Sequence, residues 1–240
     1  MSRKFKLLGA MVGAVLAMSA VMAAAAQAQT GALTTQVYPS IVTGQQLGGP
    51  TFDIDDPWNQ TITCQSNLDA TLIGPTDPVT FTPTYGNCIS DPAQTPVTVT
   101  MNSCDYTVGF TKPGTTGTPL TTGTMQAWIN CPTGQQIEIH VYKNSFDHAV
   151  DLSTCTYDIG PQGPVPAGIY HNTMVGIPDV DATINAKFTA TSTIGAGFVP
   201  CGGDPITQHL PITLTGNYTL RGFDDLPGPI EGAQIPLDVG

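Results

Sequence analysis

Basic residues, glutamate and tryptophan are what this 240-residue chain has least of. It carries 7 Lys+Arg against 18 Asp+Glu, for a net charge of −11. Only Glu138 and Glu231 are glutamates, and Trp58 and Trp128 are the only tryptophans. The sign of the charge argues against nucleic acid and anionic membrane surfaces as partners. With Lys, Glu and Leu scarce and Gly, Pro and Thr abundant, there is little to build helices from. Past Thr30 no stretch approaches the ~18 apolar residues needed to span a bilayer, so stable membrane insertion is not expected. There is no G-x-S-x-G elbow and no H-E-x-x-H pair. Gly-rich stretches such as Gly202-Gly203 lack the strand–loop–helix setting of a phosphate cradle, and no C-x-x-C is present. No residue is assigned a catalytic role, and no cofactor is implied.

What is present begins with an export signal. Arg3, Lys4 and Lys6 precede an apolar run from Leu7 to Val21, and Ala-x-Ala sites follow at Ala24–Ala26 and Ala26–Ala28. Residues 1–28 therefore read as a signal peptide. Its removal takes three of the seven basic residues and no acidic one. Four then remain against 18, a net charge of −14. The expected location is extracellular or cell-surface.

Six cysteines, at 64, 88, 104, 131, 155 and 201, all lie beyond the signal. An even count in an exported chain favours disulfides, and six cysteines allow 15 connectivities. Sequential pairing is favoured: Cys64–Cys88, Cys104–Cys131 and Cys155–Cys201. Sequence alone does not choose among the possible connectivities, but strand alternation is compatible with the Cys104–Cys131 pair. In VTVTMNSCDYTVGFT, GTMQAWINC and IEIHVY, apolar residues recur with period two. Setting Cys104 opposite Cys131 places Thr111 opposite Thr124, with both cysteines facing inward. These segments predict a three-stranded antiparallel meander over Pro96–Tyr142, with a β-bulge at Asn102-Ser103 absorbing a slip in phase.

Short alternating runs continue to the C-terminus, through Ala182–Ala190, Ile212–Leu220 and Ala233–Val239. Gly216 is placed to let a neighbouring ring cross its strand. Many strands with Gly/Pro turns predict an all-β, antiparallel, β-sandwich-like domain over residues 61–240, stapled by three disulfides. Residues 29–60 read as an irregular N-terminal segment, and Gly160–Gly168 as the hinge if the domain subdivides.

Functional candidates are few. The stretch FDIDDPW offers Asp53, Asp55 and Asp56 as a hard-cation site, without the spacing of an EF-hand; a short strand ending in an acidic turn accounts for it better. Trp128, His140 and Tyr142 form a candidate ligand face, with Tyr170 as a further outward aromatic. His148 beside Asp147 and Asp151 could be drawn as a base with carboxylates.

The segments TFTPTYGNC, VTVTMNSCDYTV, WINCPTGQQIEIHVY, STCTYDIG and LTGNYTLRG resemble recurring segments of small exported, cysteine-containing actinobacterial proteins of unknown function. The resemblance covers roughly Thr61 to Arg221 and rests on cysteines, turns and strands, so it implies a fold and no activity. The leading expectation is a non-catalytic exported structural or binding protein. Its partner would be a cell-wall or environmental polysaccharide, or another surface protein. A carbohydrate-binding module or adhesin is the alternative, and a secreted hydrolase using Asp and His the third.

Overall fold

In the computed structural model the described residues are 29–55, 59–91, 94–112, 122–149, 155–173, 176–194, 208–225 and 233–239. Residues 1–28, which the sequence reads as a signal peptide, and residues Asp56, Trp58, Asp151 and Cys201 lie outside them.

Alternation of Thr with Val, Ile, Leu and Phe favours half-buried strands, and the chain forms them almost throughout. They assemble into eight long staves. The first is β3 (Ser40–Gln46) followed by β4 (Thr51–Ile54), and the second is β5 (Thr61–Leu72). β6 (Val79–Asp91) is the third, and β7 (Thr95–Thr100) with β8 (Asp105–Lys112) the fourth. The fifth joins β9 (Thr122–Asn130) to β10 (Ile137–Val141), and the sixth joins β11 (Cys155–Ile159) to β12 (Gln162–Asn172). β13 (Val180–Ile194) and β14 (Gln208–Asp224) complete the set.

Each stave pairs antiparallel with the next in the chain. The eighth returns to the first, since β14 pairs with both β3 and β4. The sheet is therefore closed: an eight-stranded up-and-down barrel, in place of the expected two-layer sandwich. Alternation identifies the buried face of each strand but not whether the last strand meets the first, which is why the sequence left closure undetermined.

Inward residues fill the barrel. On β5 these are Ile62, Cys64, Ser66, Leu68, Ala70 and Leu72, and Phe81, Phe110, Met125, Phe188 and Leu214 come from other staves. Burying each Leu, Ile, Phe or Met contributes roughly 1.5–3 kcal/mol. The interior retains an apolar cavity of about 30 Å³ beside Phe81, Met125 and Phe188, room for little more than a water molecule. Outward positions of β5 are Thr61, Thr63, Gln65, Asn67, Asp69 and Thr71, polar where a lipid-facing barrel would be apolar. None of the described helices is long and apolar enough to cross a membrane.

Several staves break or slip near mid-height, forming a waist. The fourth turns out at Met101–Cys104, where Asn102 and Ser103 both have positive φ and the Cys104 amide donates to the Met101 carbonyl at 2.7 Å. A tight turn thus absorbs the phase slip expected as a single-residue bulge. Pro83 lies where this turn interrupts the ladder, since β8 pairs with Val79–Phe81 and β7 with Cys88–Ser90. Its missing N–H is tolerated there. The break also alters the expected meander. β9 pairs with β8 in the predicted register, Thr111 opposite Thr124, but β10 pairs with β7 and β11 rather than with β9.

Two disulfides clasp the waist as predicted, Cys64–Cys88 and Cys104–Cys131. Cys155 is also disulfide-bonded, and Cys201, its expected partner, is outside the described residues.

Three readings of the sequence are corrected. Residues 29–60 are not a separate irregular segment. They supply the whole first stave, disguised by the Gly48-Gly49-Pro50 interruption of its alternation. The run Gly160–Gly168 is not a hinge, because β12 passes through it, with register shifts that its glycines permit. The tail divides at Pro236 into β15 (Gln234–Ile235), paired with β14, and β16 (Leu237–Val239). β16 joins β2 (Leu33–Thr35) in a two-stranded cap beside one barrel end. β1 (Gln29–Gly31) extends the barrel wall along β8.

Candidate functional site

The predicted face of Trp128, His140 and Tyr142 is not one surface. Trp128 on β9 and His140 on β10 lie on either side of the break at Cys131–Gln136. Trp128 points outward but is half-buried. A Cβ at Gly109 on β8 would approach its ring to 3.2 Å, and one at Gly163 on β12 would meet its backbone at 2.8 Å. The indole therefore lies along the wall in the space two glycines leave. Tyr142 is 3% exposed, against the expected outward position. The strand ends at Val141 and the chain turns, so the alternation no longer applies. Tyr170 is fully buried as well, its ring lying over Gly123 and edge-on to Phe110 at 5.4 Å.

Of the His148 candidate, Asp147 and His148 are held by local contacts, and Asp151 lies outside the described residues. Asn144 caps the one-turn helix α1 (Ser145–Ala149), its Oδ1 accepting from the Phe146 and Asp147 amides at 2.8 and 2.9 Å. The Asp147 carboxylate accepts from Asn144 Nδ2, and the His148 ring packs edge-on against Tyr142 at 4.9 Å. Asp147 and His148 thus form no base–carboxylate couple. Of the cation candidate, Asp56 lies outside the described residues. Asp53 is exposed on β4 and accepts from Thr61 at 2.9 Å, while Asp55 is exposed just beyond. Among the described residues no group of three His, Cys, Asp or Glu side chains is placed to hold a metal.

On β10 and β11, Glu138 faces Asp158 across the ladder, and His140 Nε2 lies 3.4 Å from Glu138. Partial burial, reinforced by Glu138, raises the Asp158 carboxyl above its ordinary value. This is an outward patch of one cross-strand acid pair and one imidazole, with Tyr142 stacked beside His140.

A different constellation was not anticipated. The first stave breaks at Leu47–Pro50, between β3 and β4. Beside the break the Ser66 amide donates to Gln46 Oε1 at 2.9 Å, a side chain replacing a lost ladder bond, and Gln46 Nε2 donates to the Gly48 carbonyl. Behind it, Ser66 Oγ and Tyr218 OH are 2.6 Å apart, and Tyr85 donates to Tyr106 at 3.0 Å. Three phenols thus meet inside the waist. The Tyr218 ring lies over Gly216, where a Cβ would meet it at 2.9 Å, as the glycine suggested. The remaining signal in the sequence was slight: a hydroxyl, Ser66, on the inward face of a strand otherwise apolar there.

Burial pushes Tyr85 and Tyr106 well above the ordinary tyrosine value of 10.0; the neighbouring phenols reinforce the rise at Tyr85, while at Tyr106 the hydrogen bond from Tyr85 opposes it. Tyr218 is also raised, by burial, despite the bond to Ser66. The folded state thus holds these phenols neutral where the unfolded chain would ionise them. Their contribution is fully present below about pH 10 and lost as pH climbs toward their folded values. Urea midpoints should accordingly fall between about pH 9 and pH 11, together with a delayed rise in tyrosinate absorbance. Midpoints flat across that interval would contradict this account.

Beside these groups, on the outer wall, lies a solvent-open groove of about 560 Å³ lined by side chains of β3, β5 and β6. No family model, curated protein or solved structure matches this chain.

Proposed function

We propose that this is a non-catalytic, exported binding protein of the extracellular or cell-surface space, acting through the outer wall of its barrel. The observation that carries the reading is the filled interior. An up-and-down barrel that bound a small molecule inside would need a cavity of several hundred Å³, and the interior void is about 30 Å³. Among the described residues this leaves the outer wall as the binding surface, and that wall is polar, rich in threonine and net acidic. The signal-like N-terminus and the paired cysteines support export. A third disulfide, Cys155–Cys201, completes this reading and would appear as a linked peptide in a non-reducing digest.

The test is a pull-down with the purified protein on cell-wall preparations, insoluble polysaccharides and surface-protein extracts. Retention on one of these classes, resistant to moderate salt, is expected. Failure on all of them, with the fold intact by circular dichroism, would remove the binding reading and leave a purely structural one.

A further inference from the structure

The groove beside the broken first stave is lined by uncharged, mostly polar residues. Gln45 and Gln46 of β3, Gln65 and Asn67 of β5, and Tyr85 and Gly86 of β6 line it, and no charged side chain does. Its volume, about 560 Å³, lies within the range of small-ligand sites. Several of its amides are already held. Gln45 Oε1 accepts from Arg221 at 3.0 Å, Gln65 Oε1 accepts from Asn87 at 2.7 Å, and Gln46 bridges the Ser66 amide and the Gly48 carbonyl. Fixing the oxygens of Gln45 and Gln65 sets their Nε2 groups as oriented donors, with little rotamer entropy left to lose on binding. Glycine in a strand is unfavourable. Yet Gly86 has neither a positive φ nor any atom within 4 Å of where a Cβ would sit. Gly86 lies where the β5–β6 register shifts, beside Asn87 with its positive φ, and a side chain there would project into the open space of the groove.

We propose that this groove binds an uncharged polyhydroxylated ligand, a segment of neutral polysaccharide. Carboxamides both donate to and accept from hydroxyl groups. Arg221, the charged group bonded to the lining, is taken up by Gln45 and Asp179, and the net charge of −11 repels polyanions. The proposal names the ligand class of the surface-binding reading above and rests on it.

Affinity electrophoresis of the purified protein through gels containing a soluble neutral glucan, a neutral mannan or a polyuronate tests it. Retardation is expected in at least one neutral gel and not in the polyuronate. The Gln65→Ala/Asn67→Ala variant, altered only at exposed positions, should weaken binding at least ten-fold. Gly86→Leu, which fills open space, should abolish it, and Trp128→Ala should leave it unchanged. Circular dichroism and thermal melts establish that each variant is folded. Equal retardation of the groove variants, or tighter binding to polyuronate, overturns the groove while leaving surface binding intact. Lack of retardation in both neutral gels overturns it too, and the separate cell-wall pull-down then decides whether the broader reading also falls.

Discussion

Replacing Cys104 and Cys131 together by alanine should lower the stability of the oxidised protein by about 3–4 kcal/mol, the chain-entropy value for a loop of this length. The two cysteines are 27 positions apart, and their bond sits where the ladder is weakest. The β8–β9 pairing ends at Asp105 opposite Asn130, and β7–β10 pairing resumes only at Thr100 opposite Glu138. Between those points the fourth and fifth staves have no ladder bonds, and the disulfide holds them together. For a protein of this size the loss corresponds to a fall in Tm of roughly 10 °C, readable by calorimetry and by the urea midpoint. A variant melting with the parent would show that the waist is held by other contacts. A non-reducing digest linking Cys104 to any cysteine but Cys131 would overturn the register itself.

That register was legible because it depends only on local information. Period-two alternation fixed which residues face inward, and the cysteine pair fixed the offset, so Thr111 opposite Thr124 followed. The inward rows of β5, β6, β13 and β14 were readable for the same reason. Closure was not, because the pairing of β14 with β3 depends on residues some 170 positions apart with no local mark. The first stave was obscured by its own break, since Gly48-Gly49-Pro50 reads as a loop and is one, inside a continuous stave. Tyr142 and Tyr170 were misplaced for smaller reasons. One follows the end of a strand, and the other follows two positive-φ glycines, Gly163 and Gly168, that shift the phase of β12.

The candidate site was less readable than the fold. Trp128 and His140 drew attention as rare side chains on outward positions, but rarity carries no information about proximity, and the waist separates them. The tyrosine cluster joins β6 and β8 to the distant β14, and the amide groove depends on the pairing of the first three staves and on the space opened where the first of them breaks. Ser66 was the one local sign, a residue whose type its own strand does not explain. Such mismatches between a residue and its local role deserve more weight than conspicuous side chains when a scaffold is read for function.

Gly168→Ala should be among the most damaging single substitutions in the protein, and it separates a stave from a hinge. Gly168 lies in the run Gly160–Gly168, which by composition reads as a flexible connection. In the structure its φ is +119°, and a Cβ there would sit 2.0 Å from the Thr183 carbonyl oxygen on β13. A methyl group must therefore strain the backbone, at about 1–3 kcal/mol. It must also push the sixth stave off the seventh, breaking ladder bonds around the Gly168–Ile184 pair. We expect a loss of about 3 kcal/mol or more, or failure to accumulate as folded protein. Gly160→Ala is the internal control. Nothing lies within 4 Å of its added Cβ and its φ is not in the left-handed region, so its stability should change by no more than about 1 kcal/mol, in either direction. A hinge would tolerate both substitutions alike, whereas a barrel wall tolerates only the second. Equal urea midpoints for the two variants would mean that β12 does not seal against β13, and the barrel would have to be redrawn as an open sheet.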